Sequence, residues 1–280
     1  MKKKKVFKSS LSNKYLIFKY GIEKYLIKNL KIFVPASAGD YRMIGKETLN
    51  VANQVFPLIR IIGEKNNETS NIKKIEDFSK EIKISKNAIA LKNLFNKFKS
   101  DKSQNHNYHL IYSALFKNKD KVKNVLEIGI GTNNLDVMSN MGKKGTPGAS
   151  LRAFKDFFKF ASIYGADFDK RILFKEKRIN TFYVDQTKIK TLSSLFSRIN
   201  KKFDLIIDDG LHAIHANLNT TIISLKHLKK GGWLVIEDIP LVALDVWVVI
   251  SKLLSKKYVT HIIKSKTKKN TNFLFLINRK

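Results

Sequence analysis

The chain of 280 residues contains no cysteine and little proline, glycine or arginine. The absence of cysteine excludes a disulfide framework, a thiolate zinc site, a cysteine nucleophile and an iron–sulfur cluster. Hydrophobic residues make up 43% of the chain, which excludes a disordered protein. This length and apolar content are sufficient for one large domain with an accessory segment.

Long uncharged hydrophobic runs are also missing. No window approaches the ~18 apolar residues that a membrane span requires. The lysine run Met1–Lys8 is not followed by the apolar core of a signal peptide. We therefore expect a cytoplasmic protein without a transmembrane segment.

Acidic residues are scarce: 23 Asp and Glu stand against 54 Lys and Arg, and the formal net charge is +31. Strong basicity suggests a nucleic-acid partner. However, only 7 of the basic residues are arginine, the side chain that phosphate and guanine recognition favours. Residues 1–100 carry 22 basic and 8 acidic side chains, and residues 101–280 carry 32 and 15. This even spread indicates compositional bias and argues against a nucleic-acid surface.

The pattern of apolar runs changes near residue 105. Residues 1–105 are typical of short helices and irregular segments, whereas strands and helices alternate afterwards. Alternation predicts an α/β fold: a doubly wound, Rossmann-like, mostly parallel seven-stranded sheet whose last strand, Asn272–Ile277, is antiparallel. We assign residues 106–280 to the main domain and residues 1–105 to a mainly helical accessory region, which could be a lid, a dimer arm or an acceptor-binding domain. The predicted parallel strands are Asn124–Ile130, Ser162–Phe168, Thr181–Val184, Phe203–Ile207 and Trp233–Ile236.

Acidic residues mark the ends of these strands. The 15 acidic residues after residue 100 include eight that each lie within or just after a predicted parallel strand, towards its carboxyl end. Surface acids would instead be scattered over helices, and ligands of such sheets bind at the carboxyl ends of the strands. The eight residues are Glu127, Asp167, Asp169, Asp185, Asp208, Asp209, Glu237 and Asp238.

A glycine-rich turn follows the first of these strands. Gly129 and Gly131 would let the backbone approach a ligand closely. A dinucleotide fingerprint would need a third glycine where Asn134 stands and an acid about 20 residues on, whereas Asp167 comes 36 residues after Gly131. Glu127 would repel a phosphate, so the turn suits a ligand with an amino group.

Five motifs in order resemble the class I S-adenosylmethionine-dependent methyltransferases over about residues 105–280: VLEIGIGT, YGADFD, YVDQ, FDLIIDDG and GGWLVIED. The resemblance implies that the glycine turn, with Glu127, passes under the methionine part of the cofactor. It also implies that Asp167 takes the ribose hydroxyls, and that Asp185 faces the adenine amine with Gln186 beside it. Carboxylates accept hydrogen bonds from hydroxyls and amines, so the residue types agree with this cofactor. The remaining residues of the predicted cofactor site are Asp208 and Ser150, the latter with a helix cap as its alternative role.

The segment DDGLH, together with IED after the fifth strand, resembles the macrocin- and mycinamicin-type sugar O-methyltransferases. This resemblance implies that Asp209, Glu237 and Asp238 bind a divalent metal and that His212 is the general base. Oxygen ligands without cysteine suit Mg²⁺, with Mn²⁺ or Ca²⁺ as alternatives. DDG could instead only form a turn and cap the next helix, and His215, one helical turn on, is a competing base.

The expected function is therefore that of an enzyme, a metal-assisted O-methyltransferase acting on a sugar hydroxyl. The acceptor would be a nucleotide sugar, a glycan as in polysaccharide biosynthesis, or a glycosylated metabolite. An RNA methyltransferase and a non-catalytic binding module on the same fold are the alternatives, and the oligomeric state, a homo-oligomer included, is open. The segment from Asp101-Lys102 to His106 and Tyr108 also resembles a part of the family that lies over the cofactor.

Overall fold

The computed structural model describes residues 21–37, 39–65, 72–79, 85–116, 118–254, 256–266 and 271–280. The chain divides into two compact units between Thr69 and Ser70. The lysine run Met1–Lys8 lies outside the described residues. In the part of the chain that is described, no helix combines the length and the apolar character needed to cross a membrane.

The first unit is helical where it is described. It contains a helical segment over residues 21–29 (α1), a short 3-10 helix at Lys31–Phe33, and the long helix α2, Tyr41–Lys65. The Oδ1 atom of Asp40 accepts hydrogen bonds from the backbone N–H groups of Arg42 and Met43 at 2.8 and 2.9 Å, which satisfies the free donors at the start of α2. The assignment of residues 1–105 to a functional accessory region stays a prediction.

The described residues of the second unit contain nine strands: β1 (Ile72–Lys74), β2 (Asn124–Ile128), β3 (Ser162–Asp167), β4 (Lys175–Glu176), β5 (Ile179–Tyr183), β6 (Phe203–Asp208), β7 (Leu228–Ile239), β8 (Tyr258–Lys266) and β9 (Thr271–Arg279). These strands form one sheet in the order β1-β8-β9-β7-β6-β2-β3-β5-β4. The five strands β7, β6, β2, β3 and β5 are parallel neighbours, and β9 is antiparallel to both β7 and β8.

This sheet confirms the mostly parallel α/β fold with an antiparallel last strand. It has nine strands where seven were predicted, because β1 and β4 are only three and two residues long and lie at the two edges. Segments this short carry no apolar periodicity that a sequence pattern could detect.

Helices cover both faces of the sheet. Val125 of β2 packs in one apolar cluster with Phe154, whereas the next residue, Leu126, packs in a second cluster with Phe196 and Trp247. Successive strand residues point to opposite faces, so β2 is buried on both sides and reads as a continuous apolar run. The helices are α3 (Ile75–Phe78), α4 (Lys86–Lys97), α5 (Tyr108–Leu115), α6 (Ala149–Phe157), α7 (Ile189–Ile199), α8 (Ile214–Ser224) and α9 (Leu244–Leu254).

The register of the parallel strands aligns their carboxyl ends. Ile128 of β2 is paired with Ala166 of β3 on one side and with Asp208 of β6 on the other, and Asp208 is paired with Ile236 of β7. The residues that follow these positions therefore leave the sheet at the same level. Because the chain order reverses between β2 and β6, this edge is the topological switch point where such folds bind ligands.

Candidate active site

A tight turn after β2 creates space at the switch point. Gly129 adopts φ +86°, and a Cβ atom on it would lie 2.2 Å from the carbonyl oxygen of Asp209. Gly131 adopts φ +76°, and its Cβ would lie 2.4 Å from the side chain of Met141. The positive φ favours glycine at both positions, and the close approach to the backbone of Asp209 also requires it at Gly129. At the predicted glycine turn, the backbone that follows β2 therefore packs directly against the backbone that follows β6.

Replacing Gly129 with Ala is expected to lower the free energy of unfolding beyond the ~1–2 kcal/mol that a left-handed residue costs, because the new methyl group would collide with the backbone of Asp209. The matched control is Gly231→Ala: Gly231 has φ +74°, but no atom lies within 4 Å of its Cβ. Chemical denaturation of both variants tests this prediction. Equal losses of stability would contradict the close approach.

A cavity of about 380 Å³ opens beside this turn, within the ~300–1,000 Å³ range of small-molecule sites. Its wall combines apolar side chains such as Val184 and Leu211 with the carboxylates of Asp167 and Asp185. We call it the first cavity. Five of the predicted cofactor-binding residues line it: Gly129, Gly131, Asp167, Asp185 and Gln186.

Asp167 is held by donors from the glycine turn and from its own turn, and Asp185 is held by donors from its own turn. Asp167 accepts the backbone N–H groups of Ile130 and Asp169, each at 2.9 Å. Burial raises the pKa of Asp167, although these backbone hydrogen bonds oppose the shift. Asp185 accepts the backbone N–H of Thr187 at 3.0 Å. Each carboxylate oxygen has two lone pairs, so both side chains can still accept hydrogen bonds from a ligand.

Gln186 and Asp208 stabilise the turn under the first cavity. The Nε2 of Gln186 donates to Asp208 Oδ1 at 2.7 Å and to Thr220 Oγ1 at 3.0 Å, and its Oε1 accepts the Leu211 N–H at 2.9 Å. Asp208 is fully buried and lines neither of the two cavities described here. Direct cofactor contacts of these two residues stay a prediction, while their observed partners fix the DDG turn.

A second cavity of about 420 Å³ adjoins the first. Gly129, Gly131, Ser139 and Asp209 line both cavities, so a molecule in one would face a molecule in the other across the glycine turn. The second cavity is rich in titratable side chains, which are Lys99, Asp101, Lys102, His106, Tyr108, Lys144, Asp209, His212, Glu237 and Asp238.

Two of the predicted metal ligands and the predicted general base meet in the second cavity. One ligand atom from each of Asp209, His212 and Asp238 lies within 4.8 Å of the others. The Nε2 of His212 lies 3.9 Å from Asp209 Oδ1. His215, the competing base, is exposed and lines neither cavity. The geometry therefore favours His212 over His215 as a group that can reach a substrate.

Irregular backbone brings two consecutive acids into the second cavity. The pairing of β7 with β9 shifts between Ile236 and Ile239, and Asp238 adopts φ +52°. In a regular strand Glu237 and Asp238 would point to opposite faces, but here both line the cavity. His212 also has a positive φ, +53°. Such conformations are uncommon outside glycine and concentrate at functional sites.

Lys102 lies at the centre of the carboxylates and is only 3% exposed. Its Nζ donates to Asp209 Oδ2 at 2.6 Å and to Glu237 Oε2, and it lies 3.2 Å from Glu127 Oε1. Burial on its own would lower the pKa of Lys102, but the three carboxylates outweigh burial and raise it well above the ordinary value. The side chain is therefore a fixed buried cation.

The two glutamates of this cluster are deeply buried. The hydroxyl of Tyr112 donates to Glu237 Oε1, and Ser150 Oγ donates to Glu127 Oε2 at 2.5 Å. Burial, followed by repulsion from Asp209, raises the pKa of Glu237 well above the ordinary value, although Lys102 opposes the shift. Burial also raises the pKa of Glu127. Ser150 lines the second cavity, whereas Glu127 lies behind it and lines neither cavity.

Asp238 is held by partners from two other segments of the chain. Its Oδ1 accepts hydrogen bonds from the Tyr108 hydroxyl and from Asn272 Nδ2 at 2.8 Å, and it lies 3.4 Å from His106 Nδ1. The sequence patterns did not predict that Tyr108, Tyr112 or Asn272 binds these carboxylates. One signal was present for Lys102: buried carboxylates need a cation, and Lys102 stands in the segment expected over the cofactor.

No family model matches the chain. Several known proteins match parts of the chain in sequence. The chain is 32% identical over 142 residues to 8-demethyl-8-alpha-L-rhamnosyl tetracenomycin-C 2'-O-methyltransferase of Streptomyces olivaceus, which covers 50% of this chain. It is 38% identical over 116 residues to demethylmacrocin O-methyltransferase of Streptomyces fradiae, and 38% identical over 117 residues to mycinamicin VI 2''-O-methyltransferase of Micromonospora griseorubida, each covering 41% of this chain. The matches span 35%, 27% and 26% of these relatives, about a third of their length or less.

A solved structure shows the same architecture. MycE methyltransferase from the mycinamycin biosynthetic pathway, in complex with Mg and S-adenosylhomocysteine (SAH), matches with a TM-score of 0.53 and 23% identity, covering 68% of this chain and 54% of MycE. The chain has the class I S-adenosylmethionine-dependent methyltransferase fold. In this methyltransferase fold the two cavities lie at the carboxyl edge of the parallel strands. The resemblance to macrocin- and mycinamicin-type sugar O-methyltransferases, stated from the motifs, is confirmed by the relatives.

Proposed function

We propose that the chain is an S-adenosylmethionine-dependent O-methyltransferase that acts on a sugar hydroxyl with the help of a divalent cation. One observation carries the proposal: a cavity with strand-end carboxylates adjoins a second cavity with a carboxylate–histidine cluster, and Gly129 and Asp209 line both. Methyl transfer needs this arrangement, since donor and acceptor must meet in line. The names of the relatives, all sugar O-methyltransferases, support the same chemistry.

The residues of the first cavity fit S-adenosylmethionine. Asp167 and Asp185 offer carboxylates to hydroxyl and amine donors. Gly131 brings backbone without a side chain to the wall of this cavity. Glu127 lines neither cavity and its Oε1 lies 3.2 Å from Lys102 Nζ, so a contact of Glu127 with the cofactor stays a prediction. The cofactor supplies an electrophilic methyl group, and the chain has to bind and orient it.

The donor set of the second cavity fits a divalent cation. Among the described residues only Lys102 donates a hydrogen bond to Asp209, through Oδ2, and Asp238 accepts its hydrogen bonds on Oδ1. One oxygen of each aspartate therefore remains for a cation that prefers oxygen ligands. Both oxygens of Glu237 already accept hydrogen bonds, and the ligand atoms that lie within 4.8 Å of one another come from Asp209, His212 and Asp238. Glu237 as the third ligand stays a prediction.

In the proposed mechanism, Asp209, Glu237 and Asp238 would hold the cation, which would supply a positive charge that favours ionisation of the acceptor hydroxyl. His212 accepts the hydroxyl proton at a ring nitrogen, acting as general base. The acceptor oxygen then forms a bond to the methyl carbon while the carbon–sulfur bond breaks, which leaves SAH. The Gly129 turn lies between the two reactants and aligns them. The backbone of Asp209 packs closely against this turn, which fixes the position of Asp209 beside the acceptor.

The acceptor is a sugar carried by a small molecule in this proposal. The relatives' names describe rhamnosyl tetracenomycin, demethylmacrocin and mycinamicin, which favour a glycosylated metabolite over a polysaccharide. A role in polysaccharide biosynthesis and a homo-oligomeric state stay predictions. So does the assignment of residues 1–105 to acceptor binding, lid or dimer formation.

Methyl transfer tests the proposal directly. Labelled S-adenosylmethionine is incubated with the full chain and a panel of glycosylated metabolites, nucleotide sugars and RNA, with Mg²⁺ or with a chelator. We expect label on a sugar hydroxyl, located by mass spectrometry, and loss of transfer when the chelator is present. Transfer to RNA alone would instead support the nucleic-acid alternative, and full transfer under chelation would remove the cation from the mechanism.

Replacing Asp167 with Asn is expected to weaken SAH binding by roughly 10–100-fold, the effect of losing a hydrogen bond to a charged acceptor. The matched control is Asp204→Asn. Asp204 also accepts two backbone N–H groups, those of Lys123 and Asn124, each at 2.9 Å, but at the opposite edge of the sheet. Calorimetry should show normal SAH affinity for the control, and unchanged affinity in Asp167→Asn would exclude its predicted role.

A further inference from the structure

Lys102 makes contacts that the proposed mechanism does not use. Lysine is almost never fully buried unless it is paired, and Lys102 is 3% exposed. Its Nζ contacts three carboxylates from three different strand ends, those of Glu127, Asp209 and Glu237. An ammonium group has three N–H donors, and each can be directed at one of these acids. Lys102 therefore joins the ends of β2, β6 and β7.

The positive charge of Lys102 neutralises part of the negative charge of the carboxylates around it. Glu127 and Glu237 are 0% and 1% exposed, and two further carboxylates, Asp209 and Asp238, line the second cavity together with Glu237. Like charges this close repel one another strongly unless a cation or a proton neutralises them. Among the described residues, Lys102 is the cation that contacts both Asp209 and Glu237.

Lys102 also stands where a divalent cation would compete for ligands. Asp209 and Glu237, two of the three proposed metal ligands, each direct an oxygen at the ammonium group. A divalent cation held by the same carboxylates would lie close to this positive charge, and like charges in contact cost several kcal/mol. The ammonium group and the divalent cation therefore compete for the same carboxylates and repel each other.

We propose that Lys102 is a built-in counter-ion and positioning residue, which keeps the carboxylate cluster folded without a divalent cation and weakens the affinity of that cluster for one. The clause about the divalent cation rests on the proposed function. The clause about folding rests on the contacts of Lys102 alone. With Lys102 in place, the divalent cation can leave the site and bind again, and the fold does not depend on the divalent cation.

Lys102→Met tests both clauses, because methionine fills similar space without the charge. Binding of Mn²⁺ alone is measured by calorimetry, and melting temperature is measured with and without Mn²⁺. We expect the variant to bind Mn²⁺ at least about tenfold more tightly than the unmodified chain. Without Mn²⁺ it should melt at a lower temperature, and saturating Mn²⁺ should raise its melting temperature by about 5 °C or more.

Two further variants make the outcome decisive. Lys97→Met removes a largely exposed lysine that pairs with Asp156, and it should change neither Mn²⁺ affinity nor the melting response. Lys102→Met combined with Glu237→Gln removes the counter-ion together with one charge that it neutralises. This double variant should be more stable without metal than Lys102→Met alone.

Unchanged Mn²⁺ affinity in a folded Lys102→Met chain would overturn the proposal. So would failure of both the single and the double variant to fold, since Lys102 would then be needed for packing and not for charge. SAH binding to the unmodified chain separates this result from failure of the proposed function. If SAH binds normally while Mn²⁺ affinity is unchanged, only the inference about Lys102 is wrong.

Discussion

His212→Ala is expected to lower kcat by about 10²–10⁴-fold, the usual contribution of a positioned general base. The ring of His212 lines the second cavity with Nε2 3.9 Å from Asp209 Oδ1, so it stands beside one of the carboxylates proposed to hold the cation. Removing the ring takes away the proton acceptor but leaves the first cavity intact. SAH affinity measured by calorimetry should therefore stay within a factor of about two.

His215→Ala is the matched control for this prediction. His215 lies one helical turn further along the chain, is exposed and lines neither cavity. Its replacement should leave kcat unchanged, with steady-state methyl transfer as the measurement. If His215→Ala reduced kcat and His212→Ala did not, the assignment of the base would have to be exchanged between the two.

Asp209→Asn should reduce kcat by roughly 10²–10³-fold. A bound cation supplies several kcal/mol of charge stabilisation, and each 1.36 kcal/mol corresponds to a factor of ten in rate. Asparagine keeps the shape of the side chain but removes the negative charge that would bind the cation. The variant also removes the ionic hydrogen bond from Lys102 at 2.6 Å. Its residual activity should no longer respond to a chelator.

Asp156→Asn provides the matched control for Asp209→Asn. Asp156 forms a surface ion pair with Lys97 at 3.4 Å, a kind of contact that contributes little. The control should keep both its rate and its sensitivity to chelator. Chelator-sensitive transfer by Asp209→Asn at the original rate would mean that the cation acts without this carboxylate.

Much of the fold could be predicted from the apolar pattern. Strands β2 and β6 are buried on both faces, so Asn124–Ile128 and Phe203–Asp208 appear as largely apolar runs, interrupted by Glu127 and by Asp204, that end in a turn or an acid. The alternation of such runs with helices leaves few topologies. Carboxyl ends of parallel strands share one edge, so the acids at these ends could be placed together before any coordinates were known.

Other features depend on tertiary contacts that no local pattern encodes. The shift in pairing near Asp238 decides that two consecutive acids line one cavity, and it arises from the register of β7 with β9. Lys102 reaches Glu237 across 135 positions of the chain, and Tyr112 reaches it across 125. Because such partners are set by packing, the acids were predictable from sequence while their counter-charges were not.

The net charge of +31 takes on a different meaning beside this site. Most lysines are surface residues, for example Lys97, whose side chain is 63% exposed. One lysine out of this excess, Lys102, is buried among the acids. The composition alone could not distinguish that residue from the rest, since only its place in the fold sets its role.

Calorimetric titration of SAH into the full chain tests the central claim, a cofactor cavity adjoining a catalytic cluster, most directly. The account predicts one SAH site per chain, weakened by Asp167→Asn and unaffected by His212→Ala. Absence of SAH binding to the folded chain, or equal weakening by both variants, would contradict it.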